Sequence, residues 1–144
     1  MASGVEQSAG EVMYQPRVPI TGFDWTEFLN LARQIAGNMG LSVSQEARLR
    51  SAISRAYYAE YHRASRLAFP DRGPRGFGSH SEVRDFFLTS DDPTQRGLGV
   101  KLQRLHGNRR KADYQSTISG DLSRMTEDSL NDAEELIAAF GDPT

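Results

Sequence analysis

Hydrophobic residues recur at steps of three and four along most of the chain, which is the spacing that places side chains on one face of an α-helix. The alternation of apolar and polar residues typical of β-strands is essentially absent. The pattern predicts five helices, at about 24–38, 44–69, 79–89, 93–106 and 122–140. Helices of this length with short connections favour an all-α fold, an up-and-down bundle of about five helices.

Cap and breaker residues set the predicted bounds. Asp24 and Ser44 are typical helix N-caps, and Gly40 is expected to end the first helix. Gly107 and Asn108 predict a break after the fourth helix. The chain is then expected to resume through the basic segment 109–114 before the last helix.

The chain is expected to form one domain. Residues 1–22 are rich in Gly, Ser, Pro and Gln without periodicity, which predicts a flexible leader. Residues 23–144 then form a single helical domain. No internal repeat suggests a second one.

Composition excludes several classes of function. The absence of cysteine excludes disulfides, thiolate zinc sites and a cysteine nucleophile. No apolar run is long enough for a bilayer and no secretory signal is present, so we expect a cytoplasmic protein that does not bind membranes. Neither a Gly-rich phosphate loop nor an EF-hand pattern occurs. His80 and His106 are each isolated in the sequence, so we predict no metal site and no cofactor.

Charge is segregated along the chain although the formal net charge is only −2. Residues 93–112 contain no acid, whereas residues 121–142 carry seven acids and one Arg. One region is therefore suited to meet phosphate and the other is not. The cations of the first region are Arg96, Lys101, Arg104, Arg109, Arg110 and Lys111.

The second predicted helix has a polar and an apolar stripe. Glu60 falls within the apolar stripe, where an unpaired carboxylate is costly, so we expect it to find a partner in segment 109–114. The alternative is that the helix is partly exposed there. Arg55 and His62 share the polar stripe, which predicts either a solvated face, a buried network or a site. That stripe consists of Ser51, Arg55, Tyr58, His62 and Arg66, opposite Leu49, Ile53, Tyr57, Ala64 and Leu67.

The segment 109–114 concentrates candidate chemistry. Helical spacing would bring Asp113 within reach of both Arg109 and Arg110, which is typical of a structural ion-pair network. The same guanidinium groups also suit binding of a phosphate, with Tyr114 offering a hydroxyl or a stacking surface. Both interpretations remain open from the sequence.

Two motifs resemble the HEPN (higher eukaryotes and prokaryotes nucleotide-binding) superfamily. They are Ser-Arg-Ala-Tyr-Tyr-Ala-Glu-Tyr-His at 54–62 and Arg-Arg-Lys-Ala-Asp-Tyr at 109–114. The resemblance covers about residues 24–140 and implies an all-α bundle that forms a homodimer, with the motif Arg of both subunits lining a shared cleft. It also implies RNA cleavage without metal in active relatives. Many of these are toxins of toxin–antitoxin or phage-defence systems, paired with a nucleotidyltransferase-like antitoxin.

By this resemblance, Arg109, Asp113 and Tyr114 are the candidate catalytic residues. Tyr114 stands where the family's His would be, and a Tyr with a pKa of ~10 exchanges protons near neutral pH far less readily than a His at ~6.5. His62 and Glu60 are further candidates for the acid–base group. Candidate RNA- or phosphate-binding residues are Arg55, Arg104, Arg110 and Lys111.

Two functions follow as expectations. The first is an RNA-directed protein, with a metal-independent ribonuclease toxin as its most specific form. The alternative is a non-catalytic helical dimer that binds a nucleotidyltransferase-like partner or a nucleotide. We favour the first because the acid-free cationic run is larger than an ion-pair network requires.

Overall fold

The computed structural model describes residues 23–37, 43–72 and 78–141. Within these ranges the chain forms an all-α bundle without strands, as predicted. The predicted leader at 1–22 and the predicted end of the first helix at Gly40 lie outside the described residues. The helices are α1 (Glu27–Gly37), α2 (Gln45–Ala68), α3 (His80–Leu88), α4 (Pro93–Tyr114) and α5 (Leu122–Phe140), with a short 3₁₀ turn at Pro70–Arg72.

Helix α2 is the centre of the bundle and contacts each of the other four helices. Small side chains on α2 allow its neighbours to approach closely, and larger apolar side chains from those neighbours fill the space between them. None of the described helices has the length and apolar character that a bilayer crossing requires. The fully buried residues of this core include Ala52, Ala56 and Ala59 of α2, Phe87 of α3, Leu105 of α4 and Leu136 of α5.

Side-chain caps set the start of most helices. Ser44 accepts a hydrogen bond from the Ala47 N–H at 3.1 Å, and Ser79 forms a reciprocal capping box with Glu82. Helix α1 begins at Glu27, and Asp24 caps the tight turn that precedes it. The Asp24 carboxylate accepts from the Thr26 N–H at 3.1 Å, and the Glu27 N–H donates to the Asp24 carbonyl three residues earlier.

The predicted break at Gly107 and Asn108 is wrong, because α4 is continuous from Pro93 to Tyr114. Leu105 and Ala112, on either side of these residues, are both buried and hold the two halves of the helix on one core. The Asn108 amide donates to the Ser129 hydroxyl at 3.1 Å instead of bonding its own backbone as it would in a turn. The basic segment is therefore the last part of a long helix.

Arg50 of α2 satisfies the C-terminal end of α4. Its guanidinium donates to the carbonyl oxygens of Ala112 at 3.1 Å, Gln115 at 2.6 Å and Ser116 at 3.2 Å. A cation at this position also complements the negative end of the helix dipole. The last turn of α4, which carries Asp113 and Tyr114, is thus fixed against α2.

Candidate functional site

Arg109 lies at the centre of a cluster of aromatic side chains. Its Nη2 donates to the Tyr58 hydroxyl at 2.7 Å and lies 3.5 Å from the Tyr114 hydroxyl, at the limit of a hydrogen bond. The guanidinium carbon lies 5.1 Å from the Tyr58 ring centre and 5.4 Å from the Tyr114 ring centre. Tyr114 is 70% exposed, so its ring is available as a stacking surface.

Asp113 orients Arg109. Its Oδ2 lies 2.9 Å from Arg109 Nε, but this contact does not meet hydrogen-bond geometry, so it is an electrostatic pair. The Ser54 hydroxyl donates to the same oxygen at 3.3 Å. The Arg109 side chain is only 11% exposed, which restricts it to a small opening of the surface. The sequence-predicted trio of Arg109, Asp113 and Tyr114 therefore does come together.

An open groove of about 450 Å³ lies beside this cluster, between the start of α3 and the C-terminal half of α4. Besides Arg109, four of the residues that line it are arginines or histidines. No acidic side chain of the described residues lies within ion-pair distance of Arg110. The lining residues are Ser79, His80, Ser81, Arg84, His106, Arg109 and Arg110.

His80 and His106 are stacked, contrary to the expectation that each is isolated. Their ring centres are 5.1 Å apart with an interplanar angle of 16°. The Tyr57 hydroxyl lies 2.5 Å from His80 Nδ1, and the Tyr57 ring also contacts His106 at 5.4 Å. His106 lies within α4, two turns before its C-terminal end at Tyr114.

Burial and neighbouring cations favour neutral imidazoles in this pair. Burial lowers the pKa of His106 to about 4, assisted by His80, Arg84, Arg109 and Arg110. Burial also lowers the pKa of His80, with a further contribution from Arg109. Burial raises the pKa of Tyr57, so its hydroxyl keeps its proton and donates to His80 Nδ1.

Arg104 is not part of the groove. It forms a bidentate pair with Asp132 of α5, at 2.8 Å from Nε and 2.7 Å from Nη2. Lys101 lies 3.6 Å from Glu135 of the same helix. Part of the acid-free run thus faces the acidic helix α5, which weakens the inference from its total charge. Arg110 and Lys111 are exposed, and Lys111 is not among the residues that line the groove.

The structure places Arg55 and His62 near the start of α1 rather than in the groove. The Arg55 guanidinium carbon lies 4.9 Å from the Phe28 ring centre. The His62 ring stacks on Trp25, with ring centres 3.5 Å apart. Burial lowers the pKa of His62 to about 4. The polar stripe of α2 is therefore partly covered by aromatic side chains, and only Tyr58 among its members contacts Arg109.

Glu60 is fully buried, but the partner predicted for it in segment 109–114 is absent. Neither carboxyl oxygen has a hydrogen-bond partner among the described residues. Burial raises the pKa of this carboxyl well above its ordinary value, which favours the uncharged form. Glu60 is not among the residues that line the groove.

The groove is suited to bind an anion with planar guanidinium groups and neutral imidazoles. Within the described ranges, no group of three His, Asp or Glu side chains is arranged to hold a metal ion. Sequence reasoning missed the His80–His106 pair because the two residues are 26 positions apart and only the packing of α3 on α4 joins them. It also missed Arg84, which carries no motif.

Comparison with known proteins adds no assignment. No protein family, no curated protein and no solved structure matches the chain. The resemblance of its two motifs to the HEPN superfamily therefore remains a prediction. The residues that can support a function are those that meet around Arg109.

Proposed function

We propose that this chain is an RNA-directed protein of the HEPN type. The observation that carries the proposal is the convergence of Arg109, Tyr58, Asp113 and Tyr114 beside a groove lined by further cations. Arginine binds phosphate oxygens in pairs, and exposed aromatic rings stack on unpaired bases. A phosphodiester at Arg109 with a base on Tyr114 uses both features. A cytoplasmic location, where RNA is at hand, belongs to the proposal.

Cleavage is the most specific form of this proposal, as a metal-independent endoribonuclease acting as a toxin. By the resemblance, Tyr114 stands where the family has its His, and in general a phenol is a weaker acid–base catalyst near neutral pH than an imidazole. Arg109 and Arg110 are suited to stabilise the charge that develops on the phosphate. Any acid–base group must then come from another residue of the groove or from a second subunit of a homodimer.

The experiment is an assay with a labelled single-stranded RNA in the presence of a chelator. We expect binding, and cleavage if the protein is an enzyme, to be lost in Arg109→Ala and retained in Arg66→Ala, an exposed arginine of α2 outside the groove. Asp113→Asn tests the orienting role and should weaken binding less than Arg109→Ala. Equal RNA affinity for wild type and Arg109→Ala would remove the proposal.

A second candidate is a non-catalytic helical dimer that binds a nucleotidyltransferase-like partner or a nucleotide. The low exposure of Arg109 and its pairing with Asp113 favour it, because an ion pair held by Tyr58 can serve simply to lock α4 on α2. This candidate predicts intact RNA, a dimer by light scattering at micromolar concentration, and a loss of thermal stability in Arg109→Ala. A monomer that binds RNA would exclude it.

A further inference from the structure

The stacked pair His80–His106 is the feature of the groove that the RNA-directed proposal does not use. Three elements build it: His80 begins α3, His106 lies in α4, and Tyr57 of α2 holds His80 through its hydroxyl. The two imidazole ring centres are 5.1 Å apart. If the pair served only to pack the helices together, apolar side chains would do so without the free-energy cost of burying polar groups. Both rings line the groove rather than the interior.

The charges around the pair are mainly positive, and the nearby acid of α3, Glu82, accepts from the Ser79 N–H and pairs with Arg72. From α3 it is faced by Arg84, and from α4 by Arg109 and Arg110. The titratable groups that face it from α2 are Tyr57, Tyr61 and His62, all uncharged at neutral pH. Arg109 is offset by Asp113 and Arg84 lies 3.5 Å from Asp85, whereas Arg110 has no such partner among the described residues. The groove therefore holds an excess of positive charge.

We infer that this groove binds the phosphate group of a nucleotide, with Arg110 and Arg84 on its oxygens and with the His80–His106 pair gaining a proton as it binds. The inference rests on the proposed function, since the phosphate is taken to be that of RNA. A volume of about 450 Å³ is within the range of small-ligand sites and is sufficient for a nucleotide. The site lies next to the Arg109–Tyr114 contact on α4 and shares Arg109 with it.

Proton uptake follows from the same charges. In the free protein, burial and the neighbouring guanidinium groups disfavour protonation of the imidazoles, and they lower the pKa of His106 to about 4. A phosphate anion in the groove offsets these cations and favours the protonated ring, which can then donate to a phosphate oxygen. Affinity is therefore highest at acidic pH and decreases as the pH rises through the pKa of the bound state.

Two sources of phosphate are possible, an internal diester or a terminal monoester of RNA. The dinucleotide adenylyl-(3′→5′)-adenosine carries a diester that does not titrate in this range, so a proton taken up on binding is not gained by the phosphate. Adenosine 5′-monophosphate carries a monoester, whose own second pKa lies near ~6. Tighter binding of one probe than the other identifies the source.

The test is isothermal titration calorimetry of the full chain with each probe, in buffers of different ionisation enthalpy, from about pH 5 to about pH 7. We expect net proton uptake with the dinucleotide and an affinity that falls by up to about tenfold per pH unit as the pH rises. His106→Gln and His80→Gln should reduce the uptake. Arg110→Ala, at an exposed position where folding is not at risk, should weaken binding about tenfold.

The matched control is Arg66→Ala, an exposed arginine of α2 outside the groove, which should bind like wild type. Dinucleotide binding without proton uptake, or unchanged binding by Arg110→Ala, overturns the inference. If a single-stranded RNA still binds in that case and requires Arg109, the RNA-directed function stands. If the dinucleotide binds as expected but RNA does not, the nucleotide site stands and the RNA-directed function falls.

Discussion

The two sides of α4 bury polar groups in opposite ways. Towards α5, the charges are kept and paired, as in the bidentate contact of Arg104 with the nearly buried Asp132. Towards α2 and α3, burial drives His80 and His106 to their neutral forms. A paired charge holds two helices together whatever the ligand, whereas a neutral titratable group changes its charge when pH or an anion changes. The second side is therefore the one suited to function.

Glu60 of α2 is the extreme case of a group that burial makes neutral, and its replacement should have the largest effect. We expect Glu60→Met, which keeps the length of the side chain, to raise the free energy of unfolding by about 1–3 kcal/mol or more at neutral pH. The reason is that both carboxyl oxygens lack partners in the described structure. Chemical denaturation at neutral pH measures this difference.

The pH dependence sharpens the prediction for Glu60. Its pKa is raised in the folded state, so above the ordinary carboxyl value of 4.5 the unfolded chain releases a proton that the folded chain keeps. Wild-type stability should thus decrease relative to Glu60→Gln as pH rises from about 4.5, by about 1.4 kcal/mol per pH unit. Glu60→Gln retains an unpaired polar group and is the matched control. Parallel pH profiles above pH 4.5 would show that Glu60 is ionised in the folded protein as well.

Asp132, a buried acid that has kept its charge partner, should respond with the opposite sign. Asp132→Ala removes two hydrogen bonds from Arg104 and is expected to lower the free energy of unfolding by about 1–3 kcal/mol. Glu135→Ala is the control: it breaks an exposed contact of 3.6 Å with Lys101 and should cost about 0–0.5 kcal/mol. An Asp132→Ala protein as stable as wild type would show that the pair does not hold α4 on α5.

The imidazoles should produce a smaller, acid-side effect. Their folded pKa values are lowered, to about 4 for His62 and His106, so the unfolded chain takes up protons first as the pH falls below 6.5. The stability that depends on neutral imidazoles is present above pH 6.5 and is lost towards pH 4. Solvent screens part of this effect because the rings are only partly buried. Melting temperatures across this range should fall less steeply in His106→Gln than in wild type.

The sequence was sufficient to predict the all-α bundle, because apolar residues at helical spacing and capping residues such as Ser44 and Ser79 are local signals. It also predicted the contact of Asp113 with Arg109, since the two are one helical turn apart, but the predicted contact of Asp113 with Arg110 is wrong, because among the described residues Asp113 pairs with Arg109 alone. These signals need no knowledge of the partner helix.

The contacts between helices could not be predicted, because they depend on which helices pack against each other, and a single sequence does not specify this. The contact of His80 with His106 and the pairing of Arg104 with Asp132 join residues far apart in the chain. Glu60 was predicted to be buried, correctly, but the rule that buried charges find partners pointed to the wrong outcome. Burial can neutralise a carboxyl instead, and the sequence does not say which solution applies.

The smallest effect tests the continuity of α4, on which the comparison of its two sides depends. Gly107 lies within the helix, has no positive φ, and a Cβ there would meet nothing within 4 Å. Gly107→Ala should therefore raise the free energy of unfolding by about 0.5–1 kcal/mol, measured by chemical denaturation. Gly99→Ala is the control in the same helix and should destabilise, because its Cβ would lie 2.8 Å from the Leu88 backbone nitrogen. A destabilised Gly107→Ala protein would mean that the helix breaks there, as its sequence first suggests, and that Arg109 and His106 do not share one rigid element.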